Sequence, residues 1–432
     1  MNLRLSAAGR IALSPLLWAS LALFLPPHTG RADERITLAE AERLALEHDP
    51  AVRTHEARAA ALDEAAVADG QLPDPRLRTG LYNLPLDDFS LASQPTTQWR
   101  LGIQQAFPRG DSLKYKAGRT RARAEAERAQ AALSAAQARR GVREAFLEIL
   151  YQQGAHRIVV ENRALFAALV NITQAHYGAG RSDQQDVLRA ELELSRLDDR
   201  LDRIRNAEES ARADLQRWIG AAASRPLAPG LPGLPAPPAE TELRRALERH
   251  PEITRRSAVI QARQQAVDLA REQYKPGWGL GVEYRKRFGH DPGGDARTDM
   301  AAVMLTLDLP LFTEKRQDRR LAASQKEADA AFLERADTYR RMRRLLAREY
   351  ANWRRLGDRA ARYDSELVDA AHQNAEAALN AYQSGTLEFT NLMRARITEL
   401  DVQLQALRVG VDRLKAQARL LYLAAGARED GR

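Results

Sequence analysis

The residue types that usually perform chemistry are present in this chain but are nowhere gathered. Eight histidines are scattered without a His-x-x-x-His pair, and five methionines with no cysteine leave little for a soft metal. Gly289 to Gly294 is too short, and misplaced, for a phosphate-cradling loop. No catalytic, cofactor or metal site is read from the sequence. What recurs is a charged glycine turn. It runs Tyr177-Gly178-Ala179-Gly180-Arg181-Ser182-Asp183-Gln184-Gln185-Asp186-Val187-Leu188-Arg189-Ala190, and a degenerate copy runs from Tyr382 to Ala395. Gly180 and Gly385 suit the left-handed conformation that ends a helix. Ser182, with Gln185 three residues on, is expected to cap the next helix, as is Thr386 in the second copy. Such turns reverse a helical hairpin; their use depends on what they terminate.

Each turn ends a long helical run. Ile36 to Gln71 reads as helix, with Pro50 opening a second stretch and Pro73 and Pro75 ending it. From Arg76 to Leu84 the apolar period becomes two, and after a polar loop it is two again over residues 99–107. There Trp99, Leu101, Ile103 and Phe107 share one face, and Arg100, Gly102 and Gln104 the other. These two strands make a hairpin. Asp111 to Tyr177 is then helical, and a second helix after the turn carries Leu194, Leu197, Leu201, Ile204, Ala211 and Leu215 in coiled-coil spacing.

Six prolines between Pro226 and Pro238 form an extended linker, after which the plan repeats. Pro251 follows Pro50 by 201 residues and Gly385 follows Gly180 by 205, the drift that loop indels leave in a duplicated unit. In the second hairpin Trp278, Leu280, Val282 and Tyr284 alternate with Gly279, Gly281, Glu283 and Arg285. The organisation read from the chain is a signal segment at 1–32, a first repeat at 33–225 (strands near 76–84 and 99–107, tip near 177–190) and a linker at 226–238. A second repeat follows at 239–425 (strands near 278–285 and 300–309, tip near 382–395), then a tail at 426–432. The signal rests on basic Arg4 and Arg10, an apolar run from Ile11 to Leu25 and small residues at Gly30 and Ala32. That run is short for a spanning helix.

Charged residues reach 29% and aromatics only 6%, a long-helix composition. The net charge of +8 comes from interspersed Arg and Glu without a basic block, which argues against nucleic acid as a partner. With no cysteine, neither disulfides nor a lipidated cysteine can contribute to stability or attachment.

Two magnitudes decide the architecture. The helix before the first turn spans roughly 67 residues, about 100 Å, and the shorter helices flanking it add up to a similar length. They are therefore expected to stack end to end beside it, strands at one end of a rod and glycine turns at the other. The strands are amphipathic, and four cannot close a barrel, the smallest of which need about eight. Open edges are untenable in lipid, so several chains must share one barrel.

The duplicated plan and the motif Tyr-x-x-Gly-x-x-x-x-x-Asp-Val-Leu-x-Ala (Tyr177, Gly180, Asp186, Val187, Leu188, Ala190) resemble the TolC family of outer-membrane efflux channels. The second copy keeps Tyr382, Gly385 and Ala395 and departs at Asn391, Leu392 and Met393. The resemblance implies a mainly α fold with membrane β: a homotrimer whose chains each give four strands to a 12-stranded barrel in outer-membrane lipid, above a periplasmic coiled-coil tunnel. It implies no enzyme activity, no cofactor and export to the outer membrane. The tips would dock a periplasmic adaptor (a membrane fusion protein) that couples an inner-membrane pump. By that resemblance Gly180, Arg181, Ser182, Asp183, Val187 and Leu188 form one docking tip; Gly385, Thr386, Leu387, Leu392 and Met393 form the other. Asp186, Arg189, Asn391 and Arg394 are the candidate gate, Asp186 supplying a negative ring that Arg189 or Arg394 would pair. The first tip looks most like members paired with heavy-metal pumps of the resistance-nodulation-division type. A protein-secretion duct of the same fold and a non-channel periplasmic spacer are the alternatives.

Overall fold

The computed structural model describes residues 35–426. The expected signal segment and tail residues 427–432 lie outside the described residues. In the first repeat, α1 (Leu38–His48) and α2 (Pro50–Asp69) lead into strands β1 (Arg76–Tyr82) and β2 (Gln98–Phe107). The long helix α3 (Ser112–Gly178) and then α4 (Gln184–Ile219) follow. The second repeat has α5 (Glu240–Ala246), α6 (Pro251–Glu272), β3 (Gly277–Arg287) and β4 (Met300–Asp308). It continues with α7 (Gln317–Arg362), α8 (Val368–Gln383) and α9 (Phe389–Leu423).

Local chemistry explains the helix starts. Asp49 caps α2, its carboxylate accepting from the Ala51 N–H at 2.7 Å, with Pro50 in the first turn where no N–H is missed. The matching residue of the second repeat is His250, whose Nδ1 accepts from the Glu252 N–H at 3.2 Å. Burial pushes His250 down to about 4, so its imidazole is neutral and can accept.

α3 has 67 residues and runs, at ~1.5 Å per residue, for about 100 Å. Its strand-side half packs against α2 and α6, and α6 in turn against α7. Its tip-side half packs against α4 and α9, and α9 in turn against α7 and α8. The shorter helices therefore do lie end to end along the long one, and each half is a row in which the main contacts join neighbours only. Such a row is a wall with two free edges.

α4 buries one stripe, including Ala190, Leu197, Leu201, Ile204, Ala211 and Leu215. In α9 Met393, Leu400, Leu404, Val411 and Leu421 are buried on one face, and Leu392, Val409, Leu420 and Leu423 on a second. That helix sits between α3 and α7, so it needs both seams. Gly141 of α3 makes room for Trp218 of α4. A Cβ there would lie 2.5 Å from the indole. The second long helix is not uniform: residues Tyr363–Leu367 form a π-helical turn between α7 and α8, where one continuous helix was expected.

The four strands make one antiparallel sheet in the order β1-β2-β3-β4. Leu77, Ile103, Val282 and Val303 align in a row across it. They are exposed at 70%, 53%, 49% and 73%, whereas Gly277, Gly279 and Gly281 on the opposite face are buried. In a sheet that curls into a barrel wall, the glycine side is the concave one and the apolar side the convex one. β1 and β4 leave both edges unpaired within the chain. No helix of the described residues is long and apolar enough to cross a membrane.

Candidate functional site: paired helical tips

Both glycine turns are built alike. After α3, the Arg181 N–H returns to the His176 carbonyl at 2.8 Å and the Gly180 N–H to Tyr177 at 2.9 Å, with Gly180 at φ 70°. After α8, the Thr386 N–H returns to Ala381 at 2.9 Å and the Gly385 N–H to Tyr382 at 3.0 Å, with Gly385 at φ 74°. These paired bonds satisfy the last carbonyls of each helix, and the positive φ is what glycine provides.

The hydroxyls do not cap the helices that follow, contrary to the sequence expectation. Ser182 Oγ donates back to the Thr173 carbonyl at 3.3 Å, and Thr386 Oγ1 to the Ala381 carbonyl at 3.0 Å. The N-cap positions are Asp183 and Glu388, neither with a side-chain cap bond. Closing the preceding helix uses these hydroxyls first.

The tips stand side by side and share one core. Tyr382 is buried between the His176 and Phe389 rings, at centroid distances of 5.5 Å and 5.7 Å. Its counterpart Tyr177 is 49% exposed. Burial raises the Tyr382 hydroxyl above its usual range. Leu392 and Met393, expected to face an adaptor, are buried in this core, because α9 packs against both α3 and α8. Leu188 at 57% exposure does present an apolar surface, beside exposed Arg181 and half-buried Val187. Leu387 packs against the shared core from its edge.

Of the candidate gate, Asp186 lines a groove of ≈ 740 Å³ between the tips, together with His176, Arg181, Asp183, Gln383 and Glu388. Arg189 reaches across to Thr390 Oγ1 and not to Asp186. Asn391 and Arg394 are exposed on α9. Within the described residues of one chain, no ion pair joins Asp186 to Arg189 or Arg394.

Residues 243–426 match the outer membrane efflux protein family. The match covers the second repeat, and over 90% of its length the chain has the fold of the TolC-type channels. Its fold is similar to that of the outer-membrane channel OprN at 17% identity, with a TM-score of 0.76 over 90% of each chain. It is similar to the outer membrane protein VceC of Vibrio cholerae at 17% identity and a TM-score of 0.75, over 90% of this chain and 96% of that one. For CusC the values are 15% and 0.75, over 89% and 91% of the two chains. No curated protein matches the chain in sequence. The family is one of transport channels, not enzymes.

One feature of this tip was missed in the sequence. On α9 just above the turn, Arg396 and Glu399 are buried and paired at 2.9 Å; Arg396 also meets Glu376 of α8 at 2.8 Å. His372 of α8 bonds Glu399 at 2.7 Å. The available signal was a charged pair three residues apart, set between apolar Met393 and Leu400. The Glu399 hydrogen bond raises His372 from its ordinary 6.5, with Glu376 adding and Arg396 opposing. A raised pKa means stability present below about pH 6.5 and lost as pH rises through the folded-state value. Amide protection in α8, corrected for intrinsic exchange, should therefore fall from mildly acidic to alkaline pH. His372→Gln should flatten that profile; an unchanged profile would remove His372 from the account.

Proposed function

We propose that the chain is one segment of a trimeric outer-membrane channel, conducting small toxic solutes outward as part of a tripartite efflux system. The observation that carries this reading is edge geometry. Sheet and helix rows are both open at two edges, the sheet's convex face is apolar, and the glycine tips lie about 100 Å away by the helical rise. Repetition around an axis closes both walls at once. In lipid a sheet has to close. Three copies supply twelve strands, enough for a duct, whereas eight fill with side chains. A soluble spacer has no use for a convex apolar sheet.

The tips would then form a ring at the periplasmic mouth, where an adaptor tied to an inner-membrane pump, of the resistance-nodulation-division type, docks on Arg181, Val187 and Leu188. Asp186 would supply the negative ring of the resting mouth, paired by Arg189 or Arg394 of neighbouring copies. Export of the chain to the outer membrane through its N-terminal segment belongs to the same reading. Heavy-metal cations are a competing cargo.

Refolding into liposomes should yield a heat-labile, SDS-resistant trimer, with single-channel steps in planar bilayers. Replacing Asp186 and Arg394 together by Ala should raise that conductance, and Arg181→Glu should weaken crosslinking to a co-expressed adaptor. A chain that stays monomeric and silent in lipid would refute the channel; unchanged conductance would refute only the gate.

A further inference from the structure

The concave face of the sheet is strongly and unequally charged. By strand register, Arg76, Arg78, Arg100, Arg285 and Arg287 stand on it with the glycines of β3. The carboxylates sharing that face are Glu283 and Asp308. Five arginines against two carboxylates leave an excess of three positive charges per chain.

Local pairing does not remove the excess. Glu283 is occupied by Arg285, at 2.6 Å. Arg100 stays 3.8 Å from the same carboxylate, too far for a hydrogen bond, and its buried Nε has no partner. Its guanidinium lies instead over the Tyr82 ring, 4.0 Å from the centroid. Arg287 spends one donor on the Pro95 carbonyl, which leaves its charge intact. Arg76 and Arg78 make no ion pair among the described residues. On the convex face, by contrast, Lys286 is paired with Asp299 at 3.0 Å.

We propose that this arginine-lined face makes the barrel an anion-selective duct, suited to small organic anions over bare metal cations. The inference rests on the channel reading above, which turns the concave face inward. Repeated in every copy, the arginines form a ring around one lumen. Low-dielectric walls focus such a field, and screening acts over about 8 Å at physiological salt, comparable with the reach of the arginines into the pore. Rings of arginine are how pores admit anions, and lumen-facing substitutions tune that preference. Release of a divalent cation past the same ring opposes the field.

Reversal potentials of the full-length trimer in planar bilayers test this under a potassium chloride gradient, then a zinc chloride gradient. Both should give potentials displaced from zero toward that of chloride, with a chloride preference of roughly threefold or more. The variant carrying Arg76→Gln, Arg78→Gln and Arg100→Gln leaves the Arg285–Glu283 pair intact; it should move the potential toward neutral or cation preference. Lys286→Gln, on the convex face, should leave it unchanged. A cation-preferring wild type, an unresponsive triple variant, or a shift from Lys286→Gln as large as that of the triple variant would each overturn the proposal. A trimer that forms but never conducts would overturn the duct itself, and the selectivity with it. A conducting, unselective trimer would overturn the selectivity alone.

Discussion

Arg396→Ala should loosen the tip half of the molecule while leaving the strand half as it was. The Arg396 and Glu399 side chains are each 4% exposed and meet at 2.9 Å. Removing the arginine leaves the Glu399 carboxylate buried with only His372 as a charged partner. Breaking a buried pair from one side costs about 3–5 kcal/mol, mostly through the charge left behind. The pair with Glu376 adds little, since that carboxylate is 47% exposed and screened. The loss should appear as faster amide exchange throughout α8 and the first turns of α9, with α2 and α6 unaffected. Replacing Arg396 and Glu399 together by Met removes both charges and should recover most of the protection, since well-packed apolar residues substitute for buried pairs at little cost. If Arg396→Ala exchanges like wild type, the pair is not holding α8 on α9.

Phe146→Ala is the second large effect, at the opposite end of the tip helices. Phe146 of α3 is 1% exposed among Ile36, Val142, Ile149, Leu215 and Ile219. That cluster is where α1, α3 and α4 meet the start of the linker. Ile36 clamps the linker through backbone bonds from its N–H to the Pro226 carbonyl and from the Ala228 N–H to its own carbonyl, each 2.9 Å. Emptying a buried phenylalanine site costs about 3–5 kcal/mol, the spread reflecting how far the walls collapse. Here the walls are long helices pinned along their length, so the upper part of that range is expected. Phe146→Leu keeps most of the volume and should cost less than about 1.5 kcal/mol. Denaturant midpoints of the two variants check the contrast; equal midpoints would mean that the site collapses freely.

The duplication, both hairpins, the long helix and both glycine reversals were legible because each is a local signal. Alternation of apolar residues announces a strand, and a glycine where φ must be positive announces a helix end. The caps were misread for a physical reason: a hydroxyl beside a helix end has two helices to choose from, and only the folded turn decides. Leu392 and Met393 were misassigned to the docking surface in the same way. Turn position alone does not say which side of α9 a neighbour covers.

What the sequence determined by itself is periodicity, and through it the length of the rod and the amphipathic strands. What only the tertiary structure decided is adjacency. Pairing of β2 with β3 joins the two hairpins into one sheet and gathers the arginines of β1, β2 and β3 on one face. Packing places α9 between α3 and α7 and buries Arg396 and Glu399 beneath the tip. Such contacts join residues up to 275 positions apart, as in Arg419 with Glu144, and no local pattern in a single chain encodes which distant face will be the neighbour.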